Sequence, residues 1–217
     1  MKKLLDSLLN LIFPPRCEVC KQSSQETLCQ ECFGQIKFMK PHLGIHCISV
    51  YEGPLRTAIH RFKFKKRKRL AEPLGILLVQ YLSRTPNLSM EEIDVIVPIP
   101  LHKKRLRARG FNQAQLLAQV IGRYFDKPTV PALERSKNTK AQFDLAREER
   151  FTNITGAFRV VDTQNIYQKR VLLLDDIYTT GSTIAECSKT LKIAGAKRVE
   201  VLTLSRAVDH VPATVHG

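Results

Sequence analysis

The stretch Val171-Leu-Leu-Leu-Asp-Asp-Ile-Tyr-Thr-Thr-Gly-Ser-Thr183 decides the fold of this 217-residue chain. Its first four residues are apolar, which is typical of a strand buried on both faces of an α/β sheet. From Ser182 onward apolar residues recur at helical spacing, and Gly195 follows them, which predicts an amphipathic helix with a glycine stop. The sequence therefore predicts an α/β domain in which helices flank a parallel sheet.

The loop between this strand and this helix has the composition of an anion site. It consists of Thr179, Thr180, Gly181, Ser182 and Thr183, called here the phosphate loop. Its backbone N–H groups and hydroxyls lie at a helix N-terminus, where a phosphate binds without a lysine; none follows the glycine, so this is not a P-loop.

Two carboxylates precede the phosphate loop. Asp175 and Asp176, called here the acid pair, lie at the carboxyl end of the strand, where open α/β sheets bind ligands. Two carboxylates beside a phosphate suit a sugar diol, held directly or through Mg²⁺. The simpler interpretation is an ordinary strand–turn–helix unit whose turn happens to be acidic.

The order of apolar strand, two acids, two free positions and Thr-Thr-Gly-Ser-Thr resembles the signature of the type I phosphoribosyltransferases. All positions from Asp175 to Thr183 agree with that pattern. The resemblance implies that the phosphate loop holds the 5-phosphate of 5-phosphoribosyl 1-diphosphate (PRPP). It also implies that the acid pair holds the ribose hydroxyls, with Mg²⁺ accompanying the ligand.

Composition points to a folded, basic protein. The chain is long enough for one α/β domain and a small appendage, and its 43% hydrophobic content excludes global disorder. Lys and Arg number 35 against 20 acids, a formal charge of +15. Such an excess favours polyanionic partners: phosphates, nucleic acid or an anionic membrane face.

The N-terminal segment 1–13 has leucines and an isoleucine on one helical face. Its apolar run is interrupted by Asp6, Ser7 and Asn10, and no small-residue cleavage site follows, so we do not interpret it as a signal peptide. A helix packed on its own protein is favoured over a basic helix on a membrane surface. We expect a cytoplasmic protein, with the inner face of the membrane as the alternative location.

Four cysteines form two CxxC pairs near the N-terminus. They are Cys17, Cys20, Cys29 and Cys32. Two CxxC turns complete a tetrahedral thiolate shell, which predicts a structural Zn²⁺ with no open position for catalysis. Two disulfides or redox-active pairs are the alternatives, and a cytosolic setting without a thioredoxin-like pattern disfavours both. We expect a zinc module over residues 1–40 and a second domain over 45–217, with Cys47 and Cys187 in the core.

Residues 61–69, called here the cationic segment, carry seven cations in nine positions. Its candidate nucleic-acid contacts are Arg61, Lys63, Phe64, Lys65, Lys66 and Arg67. Cations on the backbone and phenylalanine faces offered to bases would bind single-stranded DNA or a polyphosphate. A solvated surface loop is an equal alternative, and Phe62 is as well placed for the core.

A second apolar strand ends at Pro100, and five cations follow between Lys103 and Arg109. We expect this stretch to form a mobile cationic loop beside the strand end, where it would stabilise a departing diphosphate. A plain basic surface loop is the alternative. A helix over 111–125 is predicted next, from the apolar face that begins at Leu116.

Several further segments narrow the resemblance to one family. They are the strand exit Val97-Pro-Ile-Pro-Leu-His102, the segment Arg105-Leu-Arg-Ala-Arg-Gly-Phe-Asn-Gln113, the cysteine pairs, and Ala141–Arg150 with Asn153 and Gly156–Phe158. Together they resemble the ComF/ComFC competence proteins, in which a zinc finger precedes a phosphoribosyltransferase domain.

This resemblance implies roles for particular residues and a cellular process. Leu101 and His102 would lie at the diphosphate loop, and Arg105, Arg107 and Arg109 in the adjoining flexible loop. The implied process is DNA uptake during natural transformation, with a ComFA-type helicase or ATPase as partner. Gln142, Arg147, Arg150 and Asn153 lie in a polar connection whose role is more readily structural than substrate-binding.

The sequence offers few residues that could bind the acceptor of a transferase reaction. No aromatic residue follows Tyr178, so a C-terminal hood that stacks a nucleobase is not expected. An acceptor would have to be read by the N-terminal third, through Tyr51, Phe62 or Phe64. The alternatives to a DNA-uptake protein are therefore a metabolic phosphoribosyltransferase of amidophosphoribosyl type and a helicase scaffold with a vestigial site.

Overall fold

The computed structural model describes residues 14–41, 45–137 and 154–207. The predicted N-terminal helix and the polar connection with Gln142, Arg147, Arg150 and Asn153 lie outside these ranges. Within them the strands are β1 His46–Val50, β2 Val95–Pro98, β3 Leu133–Arg135, β4 Phe158–Val160, β5 Arg170–Tyr178 and β6 Arg198–Arg206. The helices are α1 Gln30–Gly34, α2 Gly53–Phe64, α3 Ala71–Leu82, α4 Lys103–Arg109, α5 Gln113–Phe125 and α6 Ser182–Ile193.

Four parallel strands form the central sheet, in the order β1-β6-β5-β2. Side chains of β5 alternate between two hydrophobic clusters because successive residues of a strand face opposite sides. Leu172 and Leu174 join the cluster on the α3 and α5 side, whereas Val171 and Leu173 join the cluster on the α6 side. The predicted α/β architecture, with a strand buried on both faces, is confirmed.

Helices α3 and α5 pack closely because one of them carries a glycine at the crossing. A Cβ atom at Gly75 would lie 2.5 Å from the Cβ of Val120. Helix α5 begins where the Asn112 side chain accepts a hydrogen bond from the N–H of Ala114, at 3.1 Å. These two features fix the face of α5 against the sheet beside β2.

The cysteine-bearing segment packs on the same core as the sheet. Cys17 and Cys32 are buried in the cluster that also holds residues of α2 and α3. The ring of Phe38 meets that of Tyr81 edge to face, with centroids 6.0 Å apart. Cys47 and Cys187 are buried, as predicted. The division into domains 1–40 and 45–217 stays a prediction, since this packing joins the described parts of both.

Strands β3 and β4 form a separate antiparallel ribbon that the sequence did not predict. Each has three residues, too few for a periodic apolar pattern to stand out. The ribbon covers the α6 side of the sheet through Leu133 and Phe158. Among the described residues, no helix is long and apolar enough to cross a membrane.

Candidate functional site

Strand β5 carries the acid pair in its second half. The sequence predicted that the strand ends before the acids, but it continues through them to Tyr178, because Asp175 pairs with Thr203 of β6 and Ile177 with Ser205. The N–H of Asp176 donates a hydrogen bond of 2.8 Å to Oδ1 of Asp175. The two carboxylates are therefore held on a rigid interior strand, toward its carboxyl end.

The phosphate loop turns from β5 into α6. Gly181 has φ of +79°, and a Cβ atom there would lie 2.5 Å from the Tyr178 hydroxyl, so the turn requires a glycine. The hydroxyls of Thr180 and Ser182 are 2.6 Å apart, and α6 starts at Ser182. The predicted helix N-terminus with its hydroxyls is thus formed, which is the geometry that an anion requires.

The acid pair opens into a cavity of about 460 Å³, called here the pocket, and the phosphate loop reaches it through Thr179 and Thr183. The other three loop residues, Thr180, Gly181 and Ser182, are not among its lining residues. This volume lies within the range of small-molecule sites, roughly 300–1,000 Å³. Five cationic side chains and two carboxylates line it, and the net charge favours an anionic ligand. The charged lining residues are Lys63, Lys66, Arg105, Arg109, Arg135, Asp175 and Asp176. Thr179, Thr183 and Leu101 line it as well.

Asp175 has a perturbed acidity. Burial is the main cause, and the neighbouring charge of Asp176 adds to it, so the pKa of Asp175 is raised to about 7. Lys63 and the N–H of Asp176 oppose the shift without cancelling it. A carboxyl that changes charge near neutral pH is a common feature of functional sites.

Lys63 of α2 reaches across the pocket to the acid pair. Its Nζ lies 2.6 Å from Oδ1 of Asp176, and the two side chains are 15% and 8% exposed. This contact is a partly buried ion pair between the cationic segment and the acid pair. It brings together two sites that the sequence treated as separate.

The predicted mobile loop after β2 is a helix at Lys103–Arg109, so the prediction of a loop there is wrong. Nδ1 of His102 accepts a hydrogen bond from the N–H of Lys104 at 3.2 Å, and Gly110 ends the helix at φ of +84°. Five of its seven residues are Lys or Arg, which are good helix formers.

Helix α4 divides the cations that the sequence grouped together. Arg105 and Arg109 line the pocket, whereas Arg107 is exposed away from it and His102 serves as the helix cap. Nη1 of Arg109 donates a hydrogen bond of 2.7 Å to Oε1 of Gln113. Burial lowers the pKa of Arg109, and the charge of Asp176 partly offsets this.

Sequence reasoning missed three polar residues of the pocket: Asn112, Gln113 and Arg135. Asn112 is fixed by a 3.0 Å hydrogen bond from its Nδ2 to the carbonyl of Ile99. Arg135 is 6% exposed, and its guanidinium lies 5.4 Å from the ring centroid of Phe158. A single arginine on a three-residue strand gives no local signal, since tertiary packing alone brings it to the pocket.

The cationic segment divides into inward and outward side chains. Lys63, Phe64 and Lys66 line the pocket, and Phe62 is buried against Phe111 with ring centroids 5.4 Å apart. Phe64 is 58% exposed, and the Arg109 guanidinium lies 5.5 Å from its ring centroid.

The remaining members of the cationic segment lie outside the pocket lining. Nε of Arg67 lies 3.6 Å from Oε1 of Glu18, which stands between Cys17 and Cys20 in the sequence. Lys65 is exposed, and Arg61 is half-buried. Tyr51 also lines the pocket, so two of the three aromatic residues expected for an acceptor lie there.

The four cysteines form one cluster. Their sulfur atoms all lie within 4.8 Å of one another, and those of Cys20 and Cys29 are 3.6 Å apart. Four sulfurs at about 2.3 Å from one Zn²⁺ would be about 3.8 Å apart, so the donor set fits this metal.

Backbone N–H groups favour a thiolate at Cys17, one of the four members of this cluster. Burial raises the pKa of Cys17, but hydrogen bonds from the N–H groups of Cys29, Val19 and Cys20 outweigh it and lower the value to about 6. A thiolate at neutral pH is the form that binds a metal.

These features define a protein that joins a cysteine cluster to a phosphoribosyltransferase-type domain. The family described as the phosphoribosyl transferase domain matches residues 81–210, and the family described as the double zinc ribbon domain matches residues 8–52. The chain belongs to the ComF family of competence proteins, as the sequence predicted.

Three relatives support this membership. The chain is 34% identical to competence protein F of Haemophilus influenzae, over 88% of this chain and 90% of that protein. It is 30% identical to the DNA utilization protein YhgH of Escherichia coli, with the same two shares. It is also 30% identical to competence protein ComFC of Streptococcus pneumoniae, over 93% of this chain and 85% of that protein.

Proposed function

We propose that this protein binds PRPP with Mg²⁺ in the pocket and single-stranded DNA along the cationic segment, and that it acts in DNA uptake during natural transformation. The observation that carries the proposal is the meeting of the acid pair, the phosphate loop and the cationic segment at one pocket. Relatives named competence and DNA utilization proteins support the cellular role.

The ligand follows from the donor set. The phosphate loop offers N–H groups and hydroxyls to a 5-phosphate, and the acid pair offers carboxylate oxygens to ribose hydroxyls. Oxygen donors are also those that Mg²⁺ prefers, so Asp175 and Asp176 would hold the ion, which would neutralise part of the diphosphate charge. Arg105 and Arg109 face the same pocket and supply the remaining positive charge.

Binding is tested by titrating the native protein with PRPP and Mg²⁺ in a calorimeter. We expect heat of binding, and we expect Gly181→Ala to lower the affinity about tenfold or more, because the left-handed turn that presents the N–H groups is disfavoured for alanine. Gly156→Ala is the matched control, since it also has positive φ (+65°) but lies outside the phosphate loop. Absence of both heat and thermal shift at millimolar PRPP would overturn the assignment.

Turnover is separate from binding. Release of diphosphate after addition of ammonia or a nucleobase would identify a transferase, with Tyr51 and Phe64 on the acceptor side.

A ComFA-type helicase or ATPase is the partner that the family resemblance implies.

DNA binding is tested by the salt dependence of affinity for an oligo(dT) strand. Each phosphate contact on a single strand contributes about −0.7 to the slope of log affinity against log salt. We expect the double substitution Lys65→Gln, Lys66→Gln to make the slope shallower by about 1.4. The matched control is Lys189→Gln, Lys192→Gln on α6, which removes the same charge from exposed positions outside the cationic segment. Equal slopes for both double variants would favour a solvated surface loop.

A further inference from the structure

Lys63 differs from its neighbours in the cationic segment because its side chain points toward the acid pair. It lies in the last turn of α2, and its ammonium group contacts the acid pair at 2.6 Å. Lys65 and Lys66 follow it directly; Lys65 is exposed, and Lys66 lines the mouth of the same pocket. Among the described residues, neither of these two lysines takes part in an ion pair.

The ion pair occupies a position that ligands would need. Oδ1 of Asp176 is the atom that Lys63 contacts, and a sugar hydroxyl or Mg²⁺ would compete for the same carboxylate. Two adjacent carboxylates require a counter-ion, and in the ligand-free protein Lys63 provides it. Because an unpaired charge at this depth is costly, the ammonium group leaves the acid pair only when another anion takes the place of the carboxylate.

We propose that Lys63 is a positioning residue shared by two ligands. In the free protein its ammonium balances the charge of Asp176. When Mg²⁺ and the phosphosugar occupy that pair, the ammonium moves to a phosphate of the strand that lies on Lys65 and Lys66. The inference rests on the proposed function, because it requires both ligands, and it adds a coupling between them that neither site has alone.

The sign of this coupling is the informative quantity. A phosphosugar adds negative charge beside the cationic segment, which by itself weakens the binding of a DNA strand. Release of Lys63 acts in the opposite direction, since it gives the strand one more phosphate contact. By linkage, the strand must strengthen phosphosugar binding by the same factor. Cooperative binding is therefore expected from the transfer of Lys63 and not from the charges of the ligands.

The experiment measures oligo(dT) affinity with and without saturating Mg²⁺ and PRPP, over a range of salt concentrations. For the native protein we expect the phosphosugar to raise the affinity about 5-fold or more, the lower end of ordinary coupling factors. We also expect the salt slope to steepen by about 0.7, which is one added phosphate contact on a single strand. The Lys63→Gln protein should lose both effects. The matched control Lys65→Gln should bind DNA more weakly but keep the affinity ratio.

Separate titrations distinguish the possible failures. If the native protein fails to bind one or both ligands when each is added on its own, the proposed function is wrong. If it binds both, and the affinity ratio is one or lower, the coupling is wrong and the ligands are independent or compete. If the Lys63→Gln protein keeps the same ratio of oligo(dT) affinities with and without Mg²⁺ and PRPP, Lys63 does not couple the two ligands. Lys63→Arg retains a cation and should retain the coupling, so it tests the charge even if the glutamine variant is unstable.

Discussion

Cys20→Ser is expected to remove about one zinc per chain and to lower the free energy of unfolding by roughly 3 kcal/mol or more. Cys20 is exposed, so on packing grounds its replacement by serine would change stability by no more than about 0.5 kcal/mol. A large effect at an exposed position therefore reports a metal ligand. The loss extends beyond the cluster because Cys17 and Cys32 belong to the core shared with α2 and α3.

Metal analysis and denaturant unfolding of the same samples measure this effect. Cys47→Ser is the control: Cys47 is 2% exposed but lies outside the cluster. It should keep its zinc and lose about 1–3 kcal/mol, because it buries a hydroxyl. Zinc well below half an equivalent in native protein purified without chelator would contradict a structural zinc site. So would a Cys20→Ser protein with unchanged zinc content and unchanged free energy of unfolding. Loss of zinc should also loosen the cationic segment, which Arg67 ties to Glu18.

The sheet was predictable because its strands carry their own signal. Val171–Leu174 is apolar at every position, which is what a strand with two buried faces requires, and the structure buries all four residues. The phosphate loop was predictable for a related reason, since Gly181 marks a left-handed turn in the chain itself. Features that one segment determines alone were thus visible in the sequence.

Features that depend on two distant segments were not visible. The contact between Lys63 and Asp176 joins residues 113 positions apart in the sequence, and charge patterning assigned Lys63 to the solvent or to DNA. The pocket position of Arg135 depends on a ribbon of two three-residue strands. Helix α4 was missed because its dense positive charge suggested a loop, while its cap at His102 is an uncommon one.

Asp175→Asn is expected to stabilise the protein at about pH 8 while it weakens phosphosugar binding. Burial, with the charge of Asp176, raises the pKa of Asp175 from 3.8 to about 7. Between about pH 4 and pH 7 the folded protein holds a proton that the unfolded chain has lost, so the free energy of unfolding falls as pH rises through this window. Above it the charged carboxylate costs up to roughly 4 kcal/mol, which asparagine avoids.

The neighbouring substitution should act in the opposite direction. Asp176→Asn removes the partner of Lys63 and leaves a cation in a mostly buried position, so we expect a loss of about 3 kcal/mol. Thermal melts at about pH 4 and pH 8 measure both effects, and the gain from Asp175→Asn should vanish at the lower pH. Equal effects of the two variants at pH 8 would contradict the unequal environments of these adjacent carboxylates.

The affinity for Mg²⁺ and PRPP should depend on pH through the same titration of Asp175. Because the proposed ligand would bind the charged acid pair, native affinity should rise by up to about tenfold per pH unit below the pKa of Asp175 and level off above about pH 7. The phosphates of PRPP titrate near pH 6 as well. The Asp175→Asn protein serves as the reference for the ligand, since its weaker binding retains that part of the pH dependence. The difference between the two profiles belongs to Asp175; coincident profiles would mean that its carboxylate does not hold the ligand.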